Sequence, residues 1–201
     1  MKKILVNILA VLAAFAFTAC EKADSQKDLG FPVIYIPQAT VTGLDNTYPV
    51  PAGPLDQYAT CNCNIKDGKL NVIVGVTRAG FISDRKGFSV NLVECPGEAE
   101  RKLAEYAENG TPAMPLPSGT YTIPSKIEVP SGESDATCYV SIDLAALAAH
   151  KAEIAEGEGF KLLVLGLEIT NPTAYSLADK NTSIVMVIDP ASEHWGEKPL
   201  I

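Results

Sequence analysis

The sequence is poor in basic residues and in aromatic residues. Its 16 lysines and arginines stand against 24 acidic residues, giving a net charge of −8, and aromatic side chains make up 7% of the chain, with a single tryptophan. A nucleic-acid-binding protein needs a basic footprint to neutralise phosphates, and adsorption to anionic lipid needs a polybasic segment. The charge balance therefore argues against both classes, and we expect no nucleic-acid partner.

Motifs of catalysis and metal binding are also missing. The chain contains no G-x-S-x-G, H-E-x-x-H, P-loop or G-x-G-x-x-G pattern and no EF-hand spacing. Its two histidines, His150 and His194, do not accompany a cysteine in a nucleophile motif, and acidic pairs such as Glu98 and Glu100 fit a solvated face. The sequence thus predicts a protein that is not an enzyme and that uses no cofactor or metal.

The N-terminus has the three-part layout of a secretory signal. Residues 1–3 carry positive charge, and residues 4–17 are apolar but shorter than the ~20 residues that a membrane-spanning helix needs. Phe17-Thr18-Ala19-Cys20 resembles the bacterial lipobox, with phenylalanine where leucine is usual. We therefore expect residues 1–19 to be a lipoprotein signal peptide and Cys20 to carry lipid that anchors the protein in a membrane. The alternatives are ordinary signal cleavage and an uncleaved anchor.

Residues 20–30 contain this cysteine and a polar stretch that is too hydrophilic to bury a core. Such a composition predicts a flexible tether. Acidic residues directly after the cysteine resemble the surface-export signals of Bacteroidetes lipoproteins, although lysines are mixed with them here. We expect an outer-membrane lipoprotein exposed at the cell surface, with a periplasm-facing position as the alternative.

From Phe31 onward the hydrophobic pattern has mostly a period of two, which is typical of β-strands. The chain is 47% hydrophobic and 20% charged, so a core of useful size can be buried. Short apolar runs are separated by turn residues such as Asp67-Gly68 and Asn171-Pro172. The sequence predicts an all-β fold, an antiparallel β-sandwich. The predicted strands begin near residues 33, 69, 88, 127, 138, 160 and 184.

Two of these runs, 160–169 and 184–188, are apolar on both faces. They fit either central strands covered on both sides or strands that lie partly in an interface. Two other segments have helical spacing instead. Residues 98–108 place their apolar side chains on one face, and Asp143 is positioned to cap a second helix over residues 144–155.

A family resemblance rests on the order of several motifs. Residues 33–39 (VIYIPQA) are followed by 116–123 (LPSGTYTI), 127–132 (IEVPSG) and two late strands. In this order the chain resembles the lipoprotein family known as domain of unknown function 1735. The resemblance implies an immunoglobulin-like sandwich at the N-terminus of Bacteroidetes surface lipoproteins, many of them associated with glycan capture. We expect a sandwich domain over residues 31–189, a tail over 190–201 and no separate catalytic domain.

Four cysteines follow Cys20, and an even number in an exported protein is compatible with disulfides. Spacing alone does not decide between buried reduced thiols and at least one disulfide, and it leaves the pairing open. Zinc is disfavoured because the paired C-x₂-C spacing is missing. These cysteines are Cys61, Cys63, Cys95 and Cys138.

Two aromatic residues are the candidate sugar platforms. Trp195 lies in the predicted tail, and Tyr175 lies in the loop before the last strand. The sequence supports two hypotheses. One is a non-catalytic, glycan-binding accessory lipoprotein that captures polysaccharide. The other is a structural or protein-interaction sandwich, adhesin-like or scaffold-like, that docks to another outer-membrane protein through its strand edges or apolar strands.

Overall fold

The chain folds into two β-sheets that pack face to face, which confirms the predicted all-β sandwich. The computed structural model describes residues 31–40, 42–43, 45–52, 62–80, 82, 85–151, 155–156, 159–193 and 200–201. The predicted signal peptide, the whole of the predicted tether (20–30), Cys61 and Trp195 lie outside the described residues. Within the part of the chain that is described, no helix combines the length and apolarity needed to cross a bilayer.

The first sheet contains six described strands: β1 (Val33–Tyr35), β3 (Cys63–Lys66), β4 (Lys69–Arg78), β7 (Tyr121–Thr122), β9 (Asp135–Asp143) and β13 (Ser176–Leu177). Their order is β13-β1-β4-β9-β7, and β3 pairs with the same edge of β4 as β1 does, further along the strand. The longest pairing joins β4 and β9 in antiparallel register from Lys69 opposite Asp143 to Thr77 opposite Asp135.

The second sheet also contains six described strands: β2 (Thr47–Val50), β5 (Phe88–Glu94), β6 (Ala113–Pro115), β8 (Lys126–Val129), β12 (Leu162–Thr170) and β14 (Ser183–Ile188). Their order is β2-β14-β12-β5-β8, with β6 on β12. A separate hairpin joins β10 (Ala155–Glu156) to β11 (Gly159–Phe160). The helices are α1 (Pro96–Glu108) and α2 (Leu144–Ala148), and a short 3-10 helix spans Pro37–Thr40.

Alternation along the strands builds the main core between the sheets. Leu70, Val72, Val74 and Val76 on β4 are each 0% exposed, and alternate residues of β12 and β14 meet them from the second sheet. Removing a side chain of this size from water contributes about 1.5–3 kcal/mol. The period of two in the sequence therefore gave the inward faces of these strands correctly.

The outer face of the second sheet carries a smaller cluster beneath α1. Val164, Val185 and Val187 are buried there and pack against Leu103 and Tyr106 of the helix. This explains why the late strands are apolar on both faces: one face lines the sandwich and the other lies under a helix. The sequence left two interpretations open for these strands, and the structure shows the first: both of their faces are covered.

Some local predictions were wrong. The sandwich is not purely antiparallel, because β1–β13, β2–β14 and β6–β12 are parallel pairs. The second helix ends at Ala148 rather than at 155, with a turn at 149–150, and Ala155 belongs to the hairpin, where it pairs with Phe160. For the same reason the apolar run from Phe160 is divided between β11 and β12. Asp143 does cap α2, and its Oδ1 accepts hydrogen bonds from the N–H groups of Ala145 and Ala146 at 2.9 and 3.0 Å.

The Tyr-Ile-Pro-Gln-Ala motif after β1 has a structural role. Between its pairings with β1 and β3, one edge of β4 has no described strand beside it at Gly75. Gln38 fills this gap, since its Oε1 accepts a hydrogen bond from the Gly75 N–H at 3.1 Å. A Cβ on Gly75 would lie 3.6 Å from the Gln38 amide nitrogen and 3.1 Å from two atoms of β9. The glutamine thus replaces a missing strand partner.

Candidate binding surfaces

The outer face of the first sheet is an open strand surface. Helix α1 packs on β12, β6 and β14 of the second sheet, and no described helix covers the outer side of the β4–β9 pair in a comparable way. Tyr139 on β9 keeps 47% of its surface exposed. We call this surface the open face and define it by Asn64, Asn71, Ile73, Thr137, Tyr139 and Ser141.

Strand register brings these side chains together. Ile73 on β4 lies directly opposite Tyr139 on β9, and Asn71 lies opposite Ser141 in the adjacent row. Residues two apart on a strand point to the same face, so the isoleucine, the tyrosine and the amide and hydroxyl groups share one surface. The Cβ atoms of residues directly opposite each other on paired strands lie within about 5.5 Å. The strands therefore position the ring of Tyr139 one row away from the amide of Asn71.

The polar row of the open face is ordered by its own hydrogen bonds. The hydroxyl of Ser141 donates to Oδ1 of Asn71 at 2.7 Å, and Nδ2 of Asn71 lies 3.4 Å from Oδ1 of Asn64. An amide has two donors and two acceptor lone pairs, so these groups keep hydrogen-bonding capacity toward a ligand. The groups in these rows are uncharged and suit a neutral, hydroxyl-rich ligand, whereas Lys66, Lys69 and Asp143 occupy the next row on the same side of the sheet.

A second candidate is a cleft of about 160 Å³ between the start of α1 and the second sheet. Its walls are mainly apolar, with Leu103, Leu116 and Val164 among them, and Tyr121 and Glu94 bring polar groups to it. Burial, with a hydrogen bond to Glu94 and the charge of that carboxylate, raises the pKa of Tyr121 to about 12. The phenol therefore stays protonated and acts as a hydrogen-bond donor at physiological pH.

The predicted platform Tyr175 is occupied by contacts within the protein. Its ring packs edge-to-face on Phe88 with 5.7 Å between centroids, and the guanidinium of Arg78 lies 5.1 Å from its centroid. Its hydroxyl accepts a hydrogen bond from Arg78 and donates one to the carbonyl of Lys86, both at 3.1 Å. Trp195, the other predicted platform, and the lipidation residue Cys20 lie outside the described residues, so both stay predictions.

The cysteines lie in different parts of the sandwich. Cys95 directly precedes α1 and Cys138 lies on β9, and both are free thiols. Burial raises the pKa of Cys95 and raises that of Cys138 to about 11. Cys63 is buried on β3. Any disulfide that involves Cys61 stays a prediction.

The sequence reading did not identify Tyr139 or Asn71 as site residues. The signal available in the sequence was an apolar residue at an outward-facing position of an alternating strand, where a polar residue is expected. Ile73 stands at an outward position of β4, and Tyr139 stands at an outward position of β9. Among the described residues, no group of three or more histidine, cysteine, aspartate or glutamate side chains is placed to hold a metal ion.

The fold defines the protein as an all-β sandwich, and several solved structures of similar fold come from Bacteroides species. A Bacteroides ovatus protein of unknown function is 12% identical, with 79% of this chain and 46% of that one aligned at a TM-score of 0.52. A multidomain protein including DUF1735, also from Bacteroides ovatus, is 11% identical over 77% of this chain and 43% of its own, with a TM-score of 0.47.

An auxiliary nutrient binding protein from Bacteroides thetaiotaomicron is 14% identical over 74% of this chain and 45% of its own, with a TM-score of 0.46. This chain thus spans less than half the length of each of these three proteins. No protein-family model and no curated protein matches it. At these identities the similarity is one of fold.

Proposed function

We propose that this chain is the non-catalytic binding module of a surface lipoprotein anchored through Cys20, and that its open face binds a neutral glycan. The proposal includes membership of the lipoprotein family of domain of unknown function 1735, in line with the motif order of the sequence. The single observation that carries the ligand class is the pairing of an exposed Tyr139 with uncharged amide and hydroxyl groups on one rigid sheet.

The chemistry of a sugar ring matches this surface. One face of a pyranose presents C–H groups, which pack against an aromatic ring, and its rim presents hydroxyl groups, which exchange hydrogen bonds with amides and hydroxyls. Tyr139 supplies the ring, while Asn71 and Ser141 supply hydrogen-bonding groups one row away, about 7 Å along the strand. Because the strands hold these groups in place, little conformational entropy is lost when a ligand binds.

One of the features that favoured the competing protein-docking function is explained by packing within the protein. The two strands that are apolar on both faces were its candidate contact surfaces, and Val164, Val185 and Val187 are at most 6% exposed beneath α1. The open face, by contrast, carries a mixture of polar and apolar groups. This composition fits a hydroxyl-rich ligand better than an apolar protein surface.

A glycan screen tests the proposal. The purified protein is tested on neutral polysaccharides of glucose, mannose, xylose and galactose by affinity gel electrophoresis, beside a Tyr139→Ala variant. We expect at least one polysaccharide to retard the native protein and to leave Tyr139→Ala unretarded. Phe31→Ala is the control, because Phe31 is 90% exposed and precedes the first strand. Equal retardation of native protein and Tyr139→Ala, or no retardation by any polysaccharide, overturns the proposal.

A further inference from the structure

One end of the sandwich contains a buried arginine. Arg78 is the last residue of β4, and it continues the inward phase of Val74 and Val76, so its side chain is only 5% exposed. A guanidinium keeps its positive charge at any physiological pH. The end of the apolar core therefore contains a permanent positive charge.

This charge has no counterion in the described part of the chain. The side chain donates one hydrogen bond, from Nη1 to the hydroxyl of Tyr175, and its buried Nε has no partner. The acidic residue nearest along the ladder is Asp135, opposite Thr77, and one of its carboxylate oxygens accepts a hydrogen bond from Ser134 instead. Leaving a buried charge unpaired is costly, and native proteins retain such a group only where something compensates it.

The side chain of Tyr175 lies against Arg78 at this end of the sandwich. Its ring stacks on the guanidinium, and its backbone has φ of 65°, a left-handed conformation that is unusual for a bulky side chain. Strained residues of this kind often lie at ligand-binding positions. Tyr175 thus contacts the guanidinium through both its ring and its hydroxyl, and neither contact uses Nε.

Charged residues of both signs lie in the loops around this end of the sandwich. The backbone carbonyl of Arg85 accepts hydrogen bonds from the N–H of Gly132 and the hydroxyl of Ser131, and the carbonyl of Lys86 accepts the bond from Tyr175. Glu133 follows the same turn, and Asp135 lies opposite Thr77. The case for an anion site therefore rests on the buried guanidinium of Arg78 itself.

We propose that Arg78, with Tyr175 as its cover, forms a binding site for the carboxylate group of a small acidic ligand such as a uronic acid. A carboxylate accepts two parallel hydrogen bonds from one edge of a guanidinium, and Nε is on an edge that the tyrosine does not use. The ligand supplies a counterion that the described residues do not provide. This site is independent of the open face, where the proposed ligand is neutral.

Arginine Nε–H signals in the nuclear magnetic resonance spectrum of ¹⁵N-labelled protein test the proposal directly. The chain has only three arginines, at positions 78, 85 and 101, so assignment by Arg78→Met is simple. Titration with glucuronate is expected to shift the Arg78 signal saturably. Glucose, and sodium chloride at the same ionic strength, should leave the Arg78 signal unchanged. Glucuronate should not shift the signal of Arg101, because its Nε already donates a hydrogen bond to Glu98 at 3.1 Å. An Arg78 signal that does not move, or that moves equally with glucose or chloride, overturns the proposal.

Thermal unfolding gives a second readout that does not need assigned spectra. At a glucuronate concentration about ten times its Kd, the Tm of the native protein should rise by several degrees. Arg78→Met should lose this rise, and Lys66→Met, at an exposed position on β3 opposite the far end of β4, should keep it. A similar rise in Arg78→Met contradicts the site. Should Arg78→Met not fold, the signal shift in the native protein alone decides.

Discussion

Gly166 on β12 lies directly against the backbone carbonyl of Cys95, so closely that a Cβ at position 166 would overlap with the carbonyl oxygen. In turn the N–H of Cys95 donates to the carbonyl of Gly166 at 2.9 Å. This close approach brings the first turn of α1 onto the outer face of the second sheet. It sets the position of the helix that covers Val164, Val185 and Val187.

Gly166→Ala is therefore expected to destabilise the protein strongly. The obstacle is backbone rather than a flexible side chain, so strand and helix must separate, and we expect the free energy of unfolding to fall by about 3 kcal/mol. Urea unfolding followed by circular dichroism measures this. The matched control is Gly97→Ala, because a Cβ at this helical position meets no atom within 4 Å. It should leave stability unchanged or raise it. A fully stable Gly166→Ala contradicts the packing.

Asp45 should make stability depend on pH at the acidic end. Burial acts to raise the pKa of Asp45, but hydrogen bonds from Thr47 and Lys102 and the charge of Lys102 outweigh it and hold the pKa well below its ordinary value of 3.8. A carboxyl with a lowered folded pKa adds stability that is fully present above that ordinary value. The contribution is lost as pH falls through it toward the folded pKa.

The measurement compares urea unfolding of native protein and Asp45→Asn from pH 7 to pH 2.5. At pH 7 the variant should be less stable, because Lys102 is only 4% exposed and loses a partner at 2.9 Å. The difference should shrink as pH falls below about 4. The control is Glu133→Gln, at an exposed position, for which the difference should stay near zero. A difference for Asp45→Asn that is equally large at pH 3 and pH 7 contradicts this prediction.

Gln38 should protect the edge of β4. Replacing it by alanine removes the acceptor of the Gly75 N–H, and we expect a loss of about 1 kcal/mol and faster hydrogen exchange of that amide. Gln38→Glu keeps an acceptor oxygen at the same place and should retain slow exchange. If both variants lose protection at Gly75 equally, the glutamine does not act as a replacement strand partner.

Cys138 should resist alkylation in the folded protein. With a pKa of about 11 caused by burial, about one thiol in a thousand is ionised at pH 8, and the thiolate is the reactive form. Peptide mass spectrometry after brief iodoacetamide treatment should find Cys138 unmodified in native protein and modified in guanidinium chloride. Equal modification in both conditions would show that the thiol is accessible in the folded state.

Local patterns in the sequence predicted the parts of the fold that depend on local physics. Alternation gave the inward faces of β4 and β9, apolar spacing gave α1 to within two residues of its start, and Asp143 was recognised as a helix cap. The parallel pairs could not be predicted, because strand partners far apart in sequence leave no local pattern. The early end of α2 was missed because alanine-rich segments favour a helix wherever tertiary pairing does not prevent it.

The candidate site was harder to predict than the fold. Tyr175 was selected because it is a loop aromatic, yet its ring contacts Arg78 and Phe88. Tyr139 was missed because it lies within a strand, and its exposure depends on where α1 packs. Only the three-dimensional arrangement shows that the helix covers one sheet, while no described helix covers the open face of the other in the same way.

The most direct test of the proposed function is the affinity of the open face for its best polysaccharide. Isothermal titration calorimetry would compare native protein, Tyr139→Phe and Tyr139→Ala, using the neutral polysaccharide that gives the strongest retardation in the gel screen. The account predicts that Tyr139→Phe, which keeps the ring, binds with nearly native Kd. Tyr139→Ala should bind at least about tenfold more weakly, the equivalent of ~1.4 kcal/mol. A folded Tyr139→Ala with native affinity would contradict it.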